Sequence, residues 1–280
     1  MEPVSIGVFD YINTWPVNYD LLPDDQVARG TPSELTRKLE AGELAVSSFS
    51  SGRYPFIQDK VKVLPSFVLA NTGKVGSVIL MSRPAIGKLH GQTIYTTKAS
   101  ETSIILLKIL LHHLKIEAKL EPSSNVAAEW EKGNPALFIG DEALKLAYVE
   151  AGKIQTLYKY TGNFINDLGS LWFDITGMPF VWALWGVHVN HQQYVAEILK
   201  KLEASRAHGL ENMPRLVEEA SKRLGIPAAY LETYLRKFDY FLKPEHLESL
   251  KLFYAKAHEL NLMPPCSSIH FLEEPIKTVS

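Results

Sequence analysis

The chain has 280 residues, 46% of them hydrophobic and 21% charged, with 29 basic against 31 acidic side chains and a formal net charge of −2. That is enough apolar sequence for one large or two moderate globular domains, and a charge balance with no attraction for nucleic acid or an anionic membrane surface. Its single cysteine, Cys266, excludes an intramolecular disulfide and any multi-cysteine metal site, which suits a reducing compartment.

In chain order, the first element is "VSIGVF" (Val4 to Phe9), an apolar run that predicts a buried strand. The surrounding "MEPVSIGVFD" has no basic n-region and no long apolar h-region. No apolar segment approaches the ~20 residues of a membrane helix, so the expectation is a cytoplasmic chain outside the membrane. "YINTWP" follows. Asn13 within it is either turn chemistry, because Asn tolerates unusual backbone angles, or a polar group at the C-terminal end of a first strand, where α/β proteins place ligands. "TPSELTRKLEAGE" predicts a helix with Thr31 as N-cap, Pro32 at N1 and Glu34 at N3, a capping box, with Gly42 near its end.

"LAVSSF", "KVKVLPSFVLA" and "VGSVILMS" predict three further strands. "GQTIYTT" opens a new unit and runs into a helix, "KASETSIILLKILLHHL", with Leu106, Leu107, Leu110 and Leu111 on its apolar side. "PALFIG" predicts a strand, "DEALKLAYVEAG" a helix ending at Gly152, and "LGSLWFDITG" a helix ending at Gly177. "PFVWALWGVHV" is almost wholly apolar, as expected of a strand in a sheet covered on both faces. From His191 onward only helices follow. The expected class is therefore α/β: two α/β units, with a helical C-terminal section packed back on the first and a cleft between lobes.

The chain has no dinucleotide fingerprint, no phosphate loop, no H-E-x-x-H and no G-x-S-x-G. His112 and His113 are adjacent on a helix and cannot face one metal, and His188 with His191 makes a poor pair of ligands. No metal and no cofactor are expected. What remains is a series of small polar clusters at strand-to-helix junctions. Ser47, Ser48, Ser50 and Ser51 follow "LAV"; Gly76 and Ser77 open "SVILMS"; Ser100, Thr102 and Ser103 open the Leu-rich helix; Gly140 and Asp141 end "PALFIG"; Asn13 belongs with them. Capped helix N-termini offer free N–H groups and a partial positive charge, which suits a carboxylate. One such cluster is a cap. Five at equivalent junctions describe a cleft for a small anion.

The stretches "YINTWP", "TPSELTRKLEAGELAVSSFSSGRY", "VGSVIL", "SETSIILLK", "LFIGDEAL" and "DLGSLWFDITGMPFVWALW" together resemble the chorismate dehydratases of the futalosine route to menaquinone, in order and spacing over roughly residues 4 to 190. Ala45 and Ala99 depart from the family's usual residues. A sister family that makes 1,4-dihydroxy-6-naphthoate has a different first motif and a His where this chain has Gly140, so the first family is the better match.

The resemblance implies a fold like type II periplasmic binding proteins. Its first lobe would comprise residues 1–83 with 190–280, and its second lobe residues 84–189. It also implies a reaction, loss of water from dianionic chorismate to give 3-[(1-carboxyvinyl)oxy]benzoate. Asn13 is then the expected catalytic residue, with Asp141 as a candidate base and the substrate's own enolpyruvyl carboxylate as the alternative base. Ser48, Ser50, Ser51, Gly76, Ser77, Ser100, Thr102, Ser103 and Gly140 would hold the substrate. The competing class is a non-catalytic binding protein for a small carboxylate.

Overall fold

The computed structural model describes residues 5–21, 27–156 and 163–273. In chain order its elements are β1 (Ile6–Phe9), α1 (Trp15–Asn18), β2 (Val27–Gly30), α2 (Pro32–Glu40), β3 (Val46–Ser50), α3 (Tyr54–Ile57), β4 (Val61–Asn71), β5 (Val78–Ser82), β6 (Thr93–Thr96), α4 (Glu101–His113), β7 (Lys119–Pro122), α5 (Val126–Glu131), β8 (Ala136–Ile139) and α6 (Gly140–Thr156). They continue through β9 (Phe164–Asp167), α7 (Leu168–Thr176), β10 (Phe180–His188), α8 (Val195–Glu211), α9 (Met213–Leu224), α10 (Ala228–Leu235), β11 (Phe238–Asp239) and α11 (Pro244–Glu259).

The strands form two sheets, in the orders β11-β4-β10-β3-β1-β2 and β7-β6-β8-β5-β9. In the first, β1 runs parallel to β2 and β3, and β10 runs antiparallel between β3 and β4. In the second, β6 runs parallel to β7 and β8, and β5 runs antiparallel between β8 and β9. Every residue of β1, β3, β5 and β10 is buried, as strands flanked by helices on both faces must be. On β5, Ile79 and Met81 pack with Val126, Phe138 and Ala143, while Val78 and Leu80 belong to the larger core cluster. The fold is thus α/β with two sheets. Among the described residues no helix is long and apolar enough to cross a membrane.

The two sheets do not divide at the positions expected for the lobes. A division at 83/84 leaves β5 with the first sheet, yet β5 pairs with β8 and β9 of the second. A division at 189/190 leaves β10 with the second sheet, yet β10 is a central strand of the first. The chain therefore passes between sheets before β5 and again before β10. Both strands are almost wholly apolar, and sequence alone gives such a strand no preference for one sheet over the other.

Local chemistry accounts for most helix ends. The capping box of α2 is present, with Thr31 Oγ1 accepting from Glu34 N at 3.4 Å and Glu34 Oε2 accepting from Thr31 N at 3.0 Å. Gly177 ends α7 at φ 68°, a left-handed conformation that costs glycine little. Gly152 does not end α6, which runs on to Thr156. One glycine in a helix interior costs only about 1 kcal/mol and stops nothing by itself. The short strands β2, β7, β9 and β11, and helix α5, carry weak patterns that the sequence reading passes over.

Candidate functional site

Between the rims of the two sheets lies a cavity of about 470 Å³, including its mouth. That is the size of a small-ligand site. The first sheet contributes Phe9 at the end of β1, Tyr11 and Asn13 just beyond it, Pro32 at the start of α2, Ser50 at the end of β3, and Leu69, Trp182 and Ala183. The second contributes Ser77 and Val78 at the start of β5, Ser100 and Ser103 at the N-terminus of α4, and Ile139 and Gly140 at the β8–α6 junction. Among the described residues, the side chains lining it include no carboxylate, imidazole or ammonium group.

Asn13 sits in a 3₁₀ turn, Ile12–Thr14, shortly after β1 ends at Phe9. It is 7% exposed, and its Oδ1 has no hydrogen-bond partner within the protein. Ser50 Oγ, 2% exposed, is also without one. Buried polar atoms are nearly always paired, so two unpaired ones facing the same cavity mark a place built for a polar ligand. Ser100 caps α4, and its Oγ lies 3.1 Å from Ser103 Oγ. The N-terminus of this 13-residue helix therefore borders the cavity through Ser100 and Ser103.

Of the residues expected from sequence, the structure brings Asn13, Ser50, Ser77, Ser100, Ser103 and Gly140 to the cavity wall. The others serve the frame. Ser48 lies deeper in β3, with its hydroxyl 3.5 Å from Gly7 O, and Ser51 Oγ donates to Val181 O at 2.6 Å. Gly76, at φ 84°, donates its N–H to Asp167 Oδ2 at 2.6 Å. Thr102 Oγ1 accepts from Gly52 N at 2.9 Å.

Asp141 is outside the cavity, in an adjoining groove with Asp10, Glu142 and Arg223. Its Oδ1 accepts from Ile12 N at 3.2 Å, and its Oδ2 is 3.5 Å from Arg223 Nη2. Burial raises its carboxyl above the usual range, against the Ile12 N–H and the Arg223 charge. A group from the second sheet thereby grips the backbone beside Asn13 of the first.

Several contributors were not legible from sequence. Tyr11 lies so close to Gly140 that a Cβ there would be 2.5 Å from its Cε1. Burial, with Asp141 and Asp10, pushes its phenol up to about 12. Trp182 Nε1 donates to Asn71 Oδ1 at 2.7 Å, and Asp167 accepts from both Val75 N (3.0 Å) and Gly76 N (2.6 Å), holding the segment that presents Ser77. Tyr234 of α10 is buried behind this segment, its Cδ2 3.9 Å from where a Cβ on Gly76 would lie, and burial raises its phenol above the ordinary value. Asp167 had a signal, as a polar cap between "FIN" and "LGS"; Tyr234 had none, because it lies far along the chain from Gly76.

A family model described as menaquinone biosynthesis matches residues 4–259. The chain is 31% identical over 259 residues, 90% of its own length and 94% of the relative's, to the chorismate dehydratase of Thermus thermophilus. Among solved structures it resembles a protein from Archaeoglobus fulgidus at TM-score 0.74, with 18% identity and 93% and 98% of the two chains covered. It also resembles the periplasmic aliphatic sulphonate binding protein of Escherichia coli, at TM-score 0.61, with 16% identity and 98% and 95% covered. The last two likenesses establish a two-lobed fold of the periplasmic-binding-protein type.

Proposed function

The chain belongs to the menaquinone biosynthesis family, and we propose that within it the chain is a chorismate dehydratase, a hydro-lyase converting chorismate to 3-[(1-carboxyvinyl)oxy]benzoate and water. The observation that carries this reading is the pair of unpartnered polar atoms, Asn13 Oδ1 and Ser50 Oγ, in a cavity whose lining is otherwise neutral and largely apolar. The lobes are proposed to divide before β5 and before β10, with the substrate held between them. A small-molecule step in biosynthesis suits a cytoplasmic place and needs neither nucleic acid nor membrane.

The chemistry fits such a wall. The proton to be removed lies on the ether-bearing ring carbon, in vinylogous conjugation with the ring carboxylate. As that C–H bond breaks, its electrons delocalise toward the carboxylate. They then form the new ring double bond as the neighbouring C–O bond breaks. Aromatisation drives the reaction, so the protein's task is to position and to stabilise charge. Ser100, Ser103 and the first N–H groups of α4 are proposed to hold one carboxylate, and Ser50 to donate to the substrate from the opposite rim.

With no carboxylate or imidazole in the lining, the base is assigned to the substrate's enolpyruvyl carboxylate. It takes the ring proton and passes it to the departing hydroxyl, which leaves as water. Asp141 then acts on the position of Asn13 through Ile12 and not on the substrate.

Incubation of the purified chain with chorismate tests the proposal. The expected result is loss of the cyclohexadiene absorbance and appearance of the aromatic product, unaffected by a strong chelator. Binding without turnover would overturn it in favour of a carboxylate-binding protein, and activity lost to the chelator and restored by a divalent ion would overturn the cofactor-free mechanism.

A further inference from the structure

Trp182 and Ala183 are neighbours on β10, and both line the cavity. In a regular strand, neighbouring side chains face opposite sides of the sheet. The pairing with β4 explains the exception. Val181 stands opposite Ala70 and Ala183 opposite Leu69, which leaves Trp182 as the extra residue of a β-bulge. A bulge bends its strand and re-aims a side chain, and bulges gather beside functional sites. Two hydrogen bonds pin this one. Ser51 Oγ donates to Val181 O at 2.6 Å, just before the bulge, and Trp182 Nε1 donates to Asn71 Oδ1 at 2.7 Å. Asn71 is fully buried, and its Nδ2 donates to Gly73 O at 3.0 Å. The amide nitrogen is thereby committed to a carbonyl, and its oxygen is the end that takes the indole.

We infer that Trp182 is the ring platform of the cavity, a flat apolar surface that selects a planar, unsaturated six-membered ring, and that Asn71 is the positioning residue that holds it there. The indole has one polar atom and Asn71 uses it, so what Trp182 offers a ligand is apolar surface. Asn71 lies two residues from Leu69 on β4, on the same face, and Leu69 also lines the cavity. An indole that reaches Asn71 therefore lies along the cavity wall. Phe180 packs edgewise against it, ring centroids 4.5 Å apart, and limits its tilt. Ala183, next to the bulge, is the register partner of Ser50, whose buried Oγ has no partner in the protein. A ring resting on Trp182 thus lies near a free hydroxyl, which suits a ring with a polar substituent. That the ring is chorismate's, becoming aromatic on this surface, rests on the function proposed above; the platform does not.

Benzoate and cyclohexanecarboxylate carry the same carboxylate on a six-membered ring, flat in one and puckered in the other. The full chain is expected to bind benzoate about three- to tenfold more tightly, the scale of a ring-on-ring contact beyond simple burial. Trp182→Leu keeps an apolar wall without a flat face and should bring the two affinities within about twofold of each other. Trp182→Phe keeps a flat ring and should retain a preference above about twofold. Equal affinities in wild type, an undiminished preference in Trp182→Leu, or failure of both compounds to bind wild type would overturn the inference.

Asn71→Ala tests the positioning role, because it leaves the indole whole. The Trp182 indole N–H, identified by its absence in Trp182→Phe, should exchange with solvent about tenfold or more faster in Asn71→Ala, as for loss of one hydrogen bond. The preference for benzoate should fall with it. In a Trp182→Phe background, Asn71→Ala should leave the preference unchanged, since no indole N–H remains to be held. Equal exchange rates, or the same loss of preference in both backgrounds, would return Asn71 to a structural role. A chain that prefers the flat ring and is inert toward chorismate would refute the proposed reaction and keep the platform; turnover with no such preference would refute the platform alone.

Discussion

Gly140→Ala separates strain inside a lobe from strain between lobes. Gly140 holds φ 64°, and a Cβ there would lie 2.5, 2.7 and 2.9 Å from Cε1, Cδ1 and Cζ of Tyr11. The left-handed backbone penalises any residue with a Cβ by about 1–2 kcal/mol, whatever surrounds it. That part is local to the start of α6 and should lower the melting temperature by a few degrees. The ring contact is a separate cost of about 1–3 kcal/mol, on the scale of an overpacked site. It arises only where Tyr11, carried by the first sheet, faces Gly140, carried by the second.

That second cost should therefore appear as weaker ligand binding, about 5- to 150-fold, since 1.4 kcal/mol is a factor of ten. Calorimetric unfolding reads the first cost and titration with the aromatic product reads the second. In a Tyr11→Ala background the added methyl has no ring to meet, so Gly140→Ala should then leave affinity unchanged while still lowering the melting temperature. Wild-type product affinity in the single Gly140→Ala variant would refute the reasoning.

Asn13→Ala and Asn13→Asp should fold and lose turnover by about 10²-fold or more, the scale of removing a preorganised polar group; a destabilised but fully active Asn13→Ala chain would reduce "YINTWP" to a turn. Thr102→Val leaves the buried Gly52 N–H without its acceptor and should cost about 1–3 kcal/mol of stability, whereas Thr102→Ser should recover it. Undiminished stability with lost substrate affinity in Thr102→Val would instead place Thr102 against the ligand. Burial holds the His246 imidazole below its ordinary value, against the pull of Asp239. A depressed folded-state pKa means that stability is full above the unfolded value of about 6.5 and falls as pH drops below it, because the unfolded chain then takes up a proton that the folded one resists. Urea midpoints measured from pH 7 to pH 5 should decline more steeply for wild type than for His246→Asn, and parallel curves would contradict the assignment.

The sequence by itself determined what depends on neighbours along the chain. Thr31, Pro32 and Glu34 specify the start of α2, Ser100 caps α4, and the unbroken apolar run of β10 requires a strand covered on both faces. It also placed Asn13, Ser50, Ser77, Ser100, Ser103 and Gly140 at junctions where a cleft would form, because strand ends and helix starts are where backbone N–H groups and small polar side chains collect. Tertiary structure alone decided which apolar strand joins which sheet, since β5 and β10 are both almost wholly apolar and neither pattern names its partners.

The same holds for the division of labour among polar residues of one type. Ser48 and Ser50 share a face of β3, yet only Ser50 reaches the cavity, because Ser48 lies one residue pair deeper in the sheet. Asp141 follows a lining residue directly, but the turn carrying Ile12 and the guanidinium of Arg223 draw its carboxylate into the adjoining groove. Tyr234 of α10 comes beside Gly76 only through packing between residues far apart in the chain. Contacts between residues far apart in the chain depend on how the lobes and helices pack, and no local pattern of residues records that.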